Sequence, residues 1–387
     1  MTKHPRFFDA PAGSFFLFGP RGTGKTSWVR SRYPDARFVD LLDPASRRNY
    51  AARPERLEEV LSAEAGPRTV VIDEAQLVPE LLRVVHRLIE EKRGLRFVLL
   101  GSSARKLRRQ GVDLLAGRAA ERSLHPFLAA EMGSDFRLDE ALSHGMVPLV
   151  VDAPEPGEVL RSYVSLYVDQ EVRTEGWVRD VGSFSRFLEA VSFSHGAPIN
   201  LSSVARECEV RRSTVAGYLE VLVDMLLAFQ LPVFSRRAGR STVSHPKFYF
   251  FDAGVYRSLR PRGPLDRPEE IEGATLEGLV AQHLRAWNAY RGERNQLSYW
   301  RTRSGSEVDL VIYGEDGFFA VEVKNSTILH PADLRGLKSF GDDYPEAQRM
   351  LLYRGTETRD VDGIRCVPCE VFLRALSPEV GHLHALT

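Results

Sequence analysis

Short apolar runs alternate with amphipathic segments over the first 150 residues of the chain. The apolar runs predict strands, and they read FFLF, RFVDL, TVVIDE, RFVLLGSS and ERSLHPF. Strands that alternate with helices in this way are typical of a parallel sheet with helices on its faces. The pattern therefore predicts an α/β domain over residues 1–150.

The pattern changes at a proline-rich stretch, DAPEPGE at residues 152–158, which predicts a linker. From there to about residue 235 the spacing of apolar residues favours helices, and from KFYFFD onward strands and helices mix again. We therefore predict three domains: an α/β domain at 1–150, a helical domain at 151–245 and a second α/β domain at 246–387.

The composition is that of an ordinary globular chain and narrows the choice of partners. The 387 residues suit two or three domains, and 43% of them are hydrophobic. Lys+Arg and Asp+Glu both number 52, so a uniformly basic nucleic-acid coat is excluded, although local basic patches are not. Three cysteines make no disulfide framework, and no apolar run reaches the roughly 18 residues that cross a bilayer. With no signal-peptide pattern at its start, the chain is expected to be cytoplasmic and not bound to a membrane.

The sequence GPRGTGKT at residues 19–26 fits the phosphate-binding pattern G-x-x-x-x-G-K-[ST] at every defined position. Glycines let successive backbone N–H groups point at phosphate oxygens, and the helix that follows adds its positive end. The lysine of such a loop reaches the β and γ phosphates, and the threonine hydroxyl binds Mg²⁺. The pattern predicts ATP and Mg²⁺ as cofactors, held by Gly19, Pro20, Arg21, Gly22, Thr23, Gly24, Lys25, Thr26 and Ser27.

Acidic residues end the strand TVVIDE, at the edge where parallel sheets place their ligands. Asp73 is expected to hold Mg²⁺ through water, and Glu74 to polarise the attacking water. These roles predict ATP hydrolysis rather than nucleotide binding alone. Ser102 and Ser103 end the next strand, where one of the two hydroxyls can orient the water near the γ-phosphate.

Arg118 stands just before the last predicted strand of the same domain. In ring-forming ATPases an arginine at this place reaches the neighbouring subunit's nucleotide and stabilises the charge of the transition state. Arg118 therefore predicts a homo-oligomer, for which a hexameric ring is one form. The alternative is an ordinary surface arginine.

The stretch LSSVARECEVRRSTVAGYLEVLVDMLLAFQL, at residues 201–231, predicts a helix, a short turn and a longer helix. This is a helix-turn-helix pattern, in which the start of the second helix can contact DNA. The basic stretch SRRAGRS, at 235–241, falls where a wing would contact phosphates. The alternative is a packing unit that touches no DNA. The expected DNA contacts are Arg211, Arg212, Ser213, Thr214, Arg236 and Arg237.

Two segments of alternating polarity, SEVDLVIY and GFFAVEVK, flank the turn GEDG and predict a β-hairpin. With the turn centred within GEDG, Asp309 faces Glu322, and Glu307 faces Lys324. The opposite face is entirely apolar and must be buried. That face is expected to carry Val308, Leu310, Ile312, Phe319, Val321 and Val323.

The opposed carboxylates of this hairpin predict a divalent-cation site. Asp309 and Glu322 would repel each other unless a cation lay between them. Lys324, two residues along the same face, can position or help to deprotonate a metal-bound water. Glu277, on the amphipathic segment GATLEGLVAQHLRAW, can approach the same metal. The alternatives are an edge hairpin with surface ion pairs of little weight, or a retained fold that binds but no longer cuts.

Several motifs together resemble those of a large group of uncharacterised bacterial and archaeal AAA-family (AAA+) ATPases. They are GPRGTGKT, VVIDEAQ, LLGSSARKL, LAGRAAERSLHPF, HGMVPLVV, and YWRTRSGSEVDLVI with FFAVEVKNS, which span nearly the whole chain. The resemblance implies an N-terminal P-loop AAA+ sheet and a C-terminal α/β domain related to PD-(D/E)XK nucleases, with the helix-turn-helix pattern as a winged-helix-like domain between them. It also implies Mg²⁺-dependent phosphodiester hydrolysis by a helix acid, a strand acid and an E-x-K pair, a set that Glu277, Asp309, Glu322 and Lys324 reproduce.

These patterns lead to two classes of function. The leading hypothesis is an ATP-driven DNA-processing protein, either a motor or an ATP-gated nuclease, whose middle domain grips DNA and whose C-terminal domain cuts it. The alternative is a nucleotide-switched regulator or defence sensor whose C-terminal domain binds nucleic acid or partners without cutting. ATP turnover that DNA stimulates would favour the first, and slow turnover that DNA leaves unchanged would favour the second.

Overall fold

A computed structural model of the chain describes residues 4–63, 68–102, 115–168, 180–236, 245–264, 266–379 and 383. The chain forms two compact units, residues 1–125 with 224–226, and residues 126–223 with 227–387. Across the described ranges, no helix has both the length and the apolar character needed to span a membrane.

The first unit contains a five-stranded parallel sheet, which confirms the five strands predicted from the apolar runs. The strands are β1 Phe15–Phe18, β2 Arg37–Asp40, β3 Thr69–Asp73, β4 Arg96–Gly101 and β5 Ala120–Ser123. Their spatial order is β2-β3-β4-β1-β5, so β1 is a central strand between β4 and β5. The helices of this unit are α1 Lys25–Arg32, α2 Pro44–Ala52, α3 Arg56–Ala63 and α4 Leu81–Glu90.

The carboxyl ends of all five strands lie at one edge of this sheet, because every neighbouring pair is parallel. β1, β3 and β4 are buried on both faces, as the near-continuous apolar runs require. The segments that follow these three strands therefore meet at the same edge, where open α/β sheets bind their ligands.

The second unit begins with helices, including the predicted helix-turn-helix pair. The helices are α5 Ala129–Met132, α6 Leu138–His144, α7 Pro148–Val151, α8 Pro156–Ser162, α9 Val181–Ser192, α10 Leu201–Glu207 and α11 Arg212–Asp224. The predicted linker at 152–158 is wrong in part, because α8 begins inside it. Pro156 is the first helical residue, a position where the missing N–H costs no hydrogen bond.

A small antiparallel sheet follows the helices, with the order β6-β8-β7. Its strands are β6 Ala197–Pro198, β7 Ala228–Leu231 and β8 Lys247–Phe250. The predicted domain boundary at 245/246 lies between β7 and β8, which pair with each other. The predicted boundary at 150/151 likewise lies within the second compact unit.

The C-terminal part of this unit is a six-stranded mixed sheet with the order β13-β14-β12-β11-β10-β9. The strands are β9 Asn295–Arg301, β10 Glu307–Gly314, β11 Gly317–Lys324, β12 Gln348–Tyr353, β13 Arg359–Val361 and β14 Ile364–Pro368. The helices around it are α12 Ala253–Leu259, α13 Pro268–Tyr290, α14 Arg335–Asp343 and α15 Cys369–Ala375.

Helices cover both faces of this sheet. Leu279 and Leu284 of α13 share one core with Leu310 and Val321 of the sheet. On the other face, α14 packs its buried residues against a separate core. That second core includes Leu337, Phe340, Val308, Val311, Ala320 and Leu351. The result is a three-layer arrangement in which α13 and α14 lie on opposite sides of the hairpin β10–β11.

The predicted hairpin register is confirmed over its ladder, from Leu310 opposite Val321 to Gly314 opposite Gly317. The predicted apolar face is wrong at Val308, which lies on the α14 side of the sheet. The cause is a bulge in β10, whose pairing with β9 shifts register between Val308 and Val311. A bulge inserts an extra residue and so breaks strict two-residue alternation.

Candidate functional site

The predicted phosphate loop lies between β1 and α1, at the ligand edge of the parallel sheet. Gly22 and Gly24 have φ angles of 80° and 85°, in the left-handed region that glycine adopts without strain. A Cβ atom on Gly19 would overlap the carbonyl oxygen of Leu124, so the close approach of the loop to the end of β5 also requires glycine. The hydroxyl of Thr23 donates to the Pro20 carbonyl at 2.8 Å and closes the loop.

The side chain of Lys25 reaches back over this loop. Its Nζ atom donates to the carbonyl oxygens of Gly19 at 2.7 Å and Pro20 at 3.1 Å, and the residue is 7% exposed. An ammonium held there places a positive charge against the loop, as the phosphate-binding pattern predicts. Arg21 and Ser27, also predicted to contact the nucleotide, are exposed on either side.

Thr26 and Asp73 are 47 residues apart in sequence and meet directly. The Thr26 hydroxyl donates to Asp73 Oδ2 at 2.8 Å. Burial raises the pKa of Asp73, and the hydrogen bond from Thr26 partly offsets that rise. A hydroxyl and a carboxylate side by side are the oxygen ligands that Mg²⁺ takes beside a nucleotide, so these residues fit the predicted role.

Glu74 follows Asp73 and is buried. Its φ angle of 55° places a non-glycine residue in the left-handed region, a conformation that costs free energy and is concentrated at functional sites. The amide of Gln76 donates to the Glu74 carboxylate and, at 3.1 Å, to the hydroxyl of Ser102. Gln76 therefore joins the two residues that were predicted to act on the attacking water.

Gln76 is a site residue that the sequence reasoning missed. It lies within the motif VVIDEAQ, so the signal was present, but a glutamine two residues after a strand has no fixed chemical meaning. Ser103 lies outside the described residues. Arg118 is described, and its Nε atom donates to Glu90 of the same chain; the arginine lowers the pKa of that carboxyl.

The predicted DNA-contacting residues occupy the start of α11. Arg211, Arg212 and Ser213 are exposed, and Thr214 is partly buried. The guanidinium of Arg236 lies 5.0 Å from the centre of the Tyr313 ring in the β10–β11 hairpin. Arg237 lies outside the described residues. The two helices of the pattern are present, and their role towards DNA stays a prediction.

Acidic residues from α13 and β10 meet at a lysine in the C-terminal sheet region. Lys247, the first residue of β8, is 1% exposed. Its Nζ atom lies 2.9 Å from Glu277 Oε1, 2.6 Å from Glu307 Oε1 and 3.2 Å from Asp309 Oδ1. Burial lowers the pKa of this ammonium, but the carboxylates more than offset it and raise that pKa well above its usual value.

The predicted pairings across the hairpin are wrong for the charged residues. Glu307 pairs with Lys247 and Arg301 rather than with Lys324. Asp309 lies one residue beyond the ladder, where its Oδ2 atom accepts the backbone N–H of Val323 at 2.9 Å. The bulge turns this carboxylate towards the edge of the neighbouring strand instead of holding it squarely opposite another acid.

Glu322 points towards α14, where a Cβ atom on Gly336 would lie 3.7 Å from its Oε2 atom. Lys324 donates to Glu322 Oε1 at 2.6 Å, and Oε2 is buried without a hydrogen-bond partner. Burial raises the pKa of Glu322, and the charge of Asp309 raises it further. Burial and the charge of Asp309 likewise raise the pKa of Glu277. Contacts link Glu277 to Asp309 through Lys247, and they link Glu322 to Lys324.

The cluster of acidic residues around Lys247 does not fit a divalent cation as it stands. Both oxygens of Asp309 already accept hydrogen bonds, from Lys247 and from Val323. Among the residues that the structure describes, no group of three or more histidine, cysteine, aspartate and glutamate side chains is arranged to hold a metal ion. The sequence could not indicate that Lys247 belongs to this site, because it is a single lysine before an aromatic run.

Comparison with protein families identifies the first part of the chain. Residues 12–133 match a family described as an AAA domain. Residues 135–266 and 272–372 match two families described as domains of unknown function, DUF8612 and DUF4143. These matches support an AAA-family ATPase domain in the N-terminal part, and they assign no activity to the remainder.

Two relatives are uncharacterised proteins of Mycobacterium bovis and Mycobacterium tuberculosis. Each is 26% identical over 367 residues, which cover 92% of this chain and 80% of the relative. A crystal structure of a Vibrio cholerae protein aligns over 96% of this chain and 98% of its own, with 12% identity and a TM-score of 0.24, too low to support any argument. The match of residues 12–133 to an AAA domain supports the expected ATPase domain, while the expected relation of the C-terminal part to nucleases stays a prediction.

Proposed function

We propose that this chain hydrolyses ATP at the site formed by the phosphate loop, Asp73 and Glu74. The observation that carries the proposal is the bond between Thr26 and Asp73, because it joins the two halves of the predicted site across 47 residues. Lys25 would bind the β and γ phosphates, and Glu74 would take a proton from the attacking water. Mg²⁺, held by Thr26 and Asp73, would neutralise charge on the phosphates.

Nucleotide binding tests the first half of this proposal. Lys25→Ala removes the ammonium that lies over the loop, so its affinity for ATP should fall by about tenfold or more. The matched control is Lys338→Ala, which removes a half-exposed lysine paired with exposed Asp362. Titration with a fluorescent ATP analogue would measure the affinity of each variant for the nucleotide. Equal affinity of the Lys25→Ala protein and the control would refute the assignment of the loop.

We further propose that the ATPase serves a function on DNA. Support comes from the exposed Arg211, Arg212 and Ser213 at the start of α11, where a helix-turn-helix pair can contact a duplex. The contacts that link Glu277 to Asp309 through Lys247, and Glu322 to Lys324, support a nuclease-like C-terminal domain. If the acidic residues also cut DNA, the protein acts as a motor or an ATP-gated nuclease.

A second candidate is a nucleotide-switched regulator whose C-terminal domain binds nucleic acid or a partner without cutting. The position of Lys247 among the acidic residues favours this candidate, because three of the carboxylates already contact a cation without a metal ion. Both candidates keep the ATPase site and the exposed start of α11.

One assay separates the two candidates. Purified protein, ATP and Mg²⁺ are mixed with single-stranded, duplex and forked DNA, and phosphate release and strand breakage are both scored. Strand breakage that Asp309→Asn abolishes would establish the nuclease, and DNA binding without breakage would establish the regulator. The matched control is Asp362→Asn, on an exposed carboxylate. Absence of both binding and breakage with every substrate would refute the proposed function on DNA.

A further inference from the structure

The environment of Lys247 is unusual for a lysine. It is 1% exposed, and its ammonium contacts three carboxylates that belong to two different elements, α13 and β10. A buried lysine strongly destabilises the folded state unless its charge is paired. The three N–H groups of an ammonium match three carboxylate oxygens, so the charge and the hydrogen-bonding capacity of Lys247 are both satisfied.

Other neighbours hold the same group in place. The Tyr249 hydroxyl donates to Glu277 Oε1, the oxygen that also accepts from Lys247. The ring of Tyr299 lies 5.4 Å from the Lys247 nitrogen, close enough for a cation–π contact. A lysine supported on so many sides is a fixed part of the cluster rather than a surface side chain folded inwards.

We propose that Lys247 is the resident cation of this cluster and takes the place of a divalent ion between Glu277 and Asp309. The Nζ–oxygen distances of 2.6–3.2 Å are those of hydrogen bonds between an ammonium and carboxylates. Because the ammonium occupies the space between these oxygens, a metal ion cannot enter until the lysine leaves. The inference rests on the proposed likeness of this cluster to a nuclease site.

The carboxylates that surround Lys247 would remain in place without it. Glu322 is not one of them: its Oε2 atom is buried without a hydrogen-bond partner and lies towards α14, on the face of the sheet opposite α13. With Lys247 removed, Asp309 Oδ1 and Glu277 Oε1 would each lose a hydrogen-bond donor and become available to a cation.

Metal binding without DNA or nucleotide tests the proposal. Mn²⁺ binding is measured by titration for the wild-type protein, Lys247→Met and the control Lys338→Met, whose lysine is half-exposed on α14. The wild-type protein and the control should bind no Mn²⁺ at the cluster. Lys247→Met should bind about one Mn²⁺ per chain, and the added Asp309→Asn change should abolish that binding.

The same metal should restore stability to Lys247→Met. Without metal, its buried carboxylates lack the cation that lies between them, and its melting temperature should fall well below that of Lys338→Met. Mn²⁺ at about a hundredfold its Kd should raise the melting temperature of Lys247→Met by several degrees and leave the control unchanged. Failure of folded Lys247→Met to bind Mn²⁺ would overturn the proposal.

The wild-type protein provides a test that does not depend on whether Lys247→Met folds. If the wild-type protein binds Mn²⁺ and Asp309→Asn abolishes that binding, then Lys247 is not the resident cation and the inference is wrong. That result would leave the proposed nuclease standing. Conversely, wild-type protein that binds no Mn²⁺ at the cluster yet binds DNA would support both this inference and the non-cutting candidate.

Discussion

Gln76 connects Glu74 and Ser102, which the sequence assigned to the ATPase site from two different strands. Its amide donates to Glu74 and to Ser102, which belong to the segments after β3 and β4, and the residue is 4% exposed. The amide nitrogen donates to both residues, so rotation of the side chain would break the hydrogen bonds to Glu74 and to Ser102. Gln76 therefore acts as a positioning residue that fixes the orientation of the Glu74 carboxylate.

Gln76→Ala should lower the kcat of ATP hydrolysis by about tenfold to a hundredfold, because a carboxylate displaced by about 1 Å no longer aligns the water. The KM for ATP should stay close to the wild-type value, whereas the melting temperature should fall, because a buried side chain and its two hydrogen bonds are lost. Steady-state kinetics would measure the first two, with Gln230→Ala, on an exposed glutamine of β7, as the control. An unchanged kcat would show that Gln76 has no positioning role.

His283 is a buried histidine whose neutral form the fold requires. Its Nε2 atom accepts the backbone N–H of Ala129 at 3.0 Å, so the ring proton lies on Nδ1 and donates to the Leu279 carbonyl at 2.7 Å. Burial lowers the pKa of His283 from 6.5 to about 4. The stability that this histidine contributes is therefore complete above pH 6.5 and is lost as the pH falls towards 4.

The free energy of unfolding should therefore fall between pH 6.5 and pH 4 by up to about 3 kcal/mol on account of His283 alone. His283→Gln should remove that part of the pH dependence, because glutamine does not titrate. Chemical denaturation at several pH values would measure it, with exposed His245→Gln as the control. Equal pH slopes for the His283→Gln protein and the wild-type protein would contradict this reading.

At the scale of single residues, the sequence could predict those site residues that lie in short contiguous motifs. The phosphate loop and Asp73–Glu74 lie in short motifs, and the structure places them together as expected. Lys247 is 30 residues from Glu277 and 62 from Asp309, so no local pattern could indicate that these side chains meet. Their contact depends on how β8, α13 and β10 pack.

Among the elements, α13 shows how close packing overrides intrinsic helix preference. A Cβ atom on Gly278 would overlap the Nε2 atom of His195, whereas one on Gly273 of the same helix would meet nothing within 4 Å. The His195 ring cannot move aside easily, because it is stacked on Tyr256 and accepts the N–H of Phe250. The two glycines thus form a matched pair in one helix.

Gly273→Ala should raise the free energy of unfolding by up to about 1 kcal/mol, since alanine favours the helix over glycine. Gly278→Ala should lower it by about 1–3 kcal/mol, because the added methyl group forces the buried imidazole to shift. Urea denaturation of both variants would measure the difference. Two stabilising substitutions, or two destabilising ones, would contradict the packing described for this helix.

The hairpin β10–β11 shows which features of an element a sequence can reveal. The turn GEDG and the alternation of apolar residues gave the correct register, because both are local signals. The bulge between Val308 and Val311 left no sign in that alternation, since it arises from pairing with β9. It moved Val308 to the other face and Asp309 out of opposition to Glu322.

For the whole molecule, the five strands β1 to β5 were predictable from local apolar runs, whereas their spatial order β2-β3-β4-β1-β5 depends on tertiary packing. The sequence predicted boundaries at 150/151 and 245/246, and the two compact units meet along the chain at 125/126. Proline-rich and charged stretches indicate which segments are exposed. They do not indicate which of these exposed segments connect two compact units. The family matches, which end at 133 and resume at 135 and 272, follow a third set of limits.

The role expected of Arg118 requires that the chain assemble into an oligomer. Arg118→Ala and Glu74→Gln should each hydrolyse ATP slowly, and a mixture should recover turnover if Arg118 acts on the nucleotide of a neighbouring subunit. The bond of Arg118 to Glu90 within the chain is exposed, so it can be exchanged at small cost. Turnover of the mixture that equals the mean of the two variants would contradict a shared site.

The most direct test of the account is the rate of phosphate release from ATP by wild-type protein and by Glu74→Gln, at ATP concentrations that saturate both. Wild-type protein should turn over in the presence of Mg²⁺, and Glu74→Gln should bind ATP normally but release phosphate about a hundredfold more slowly, because it lacks the general base. Glu80→Gln, on an exposed glutamate a few residues along, should match the wild-type rate. Phosphate release by Glu74→Gln at the wild-type rate would contradict the central claim that this chain hydrolyses ATP at this site.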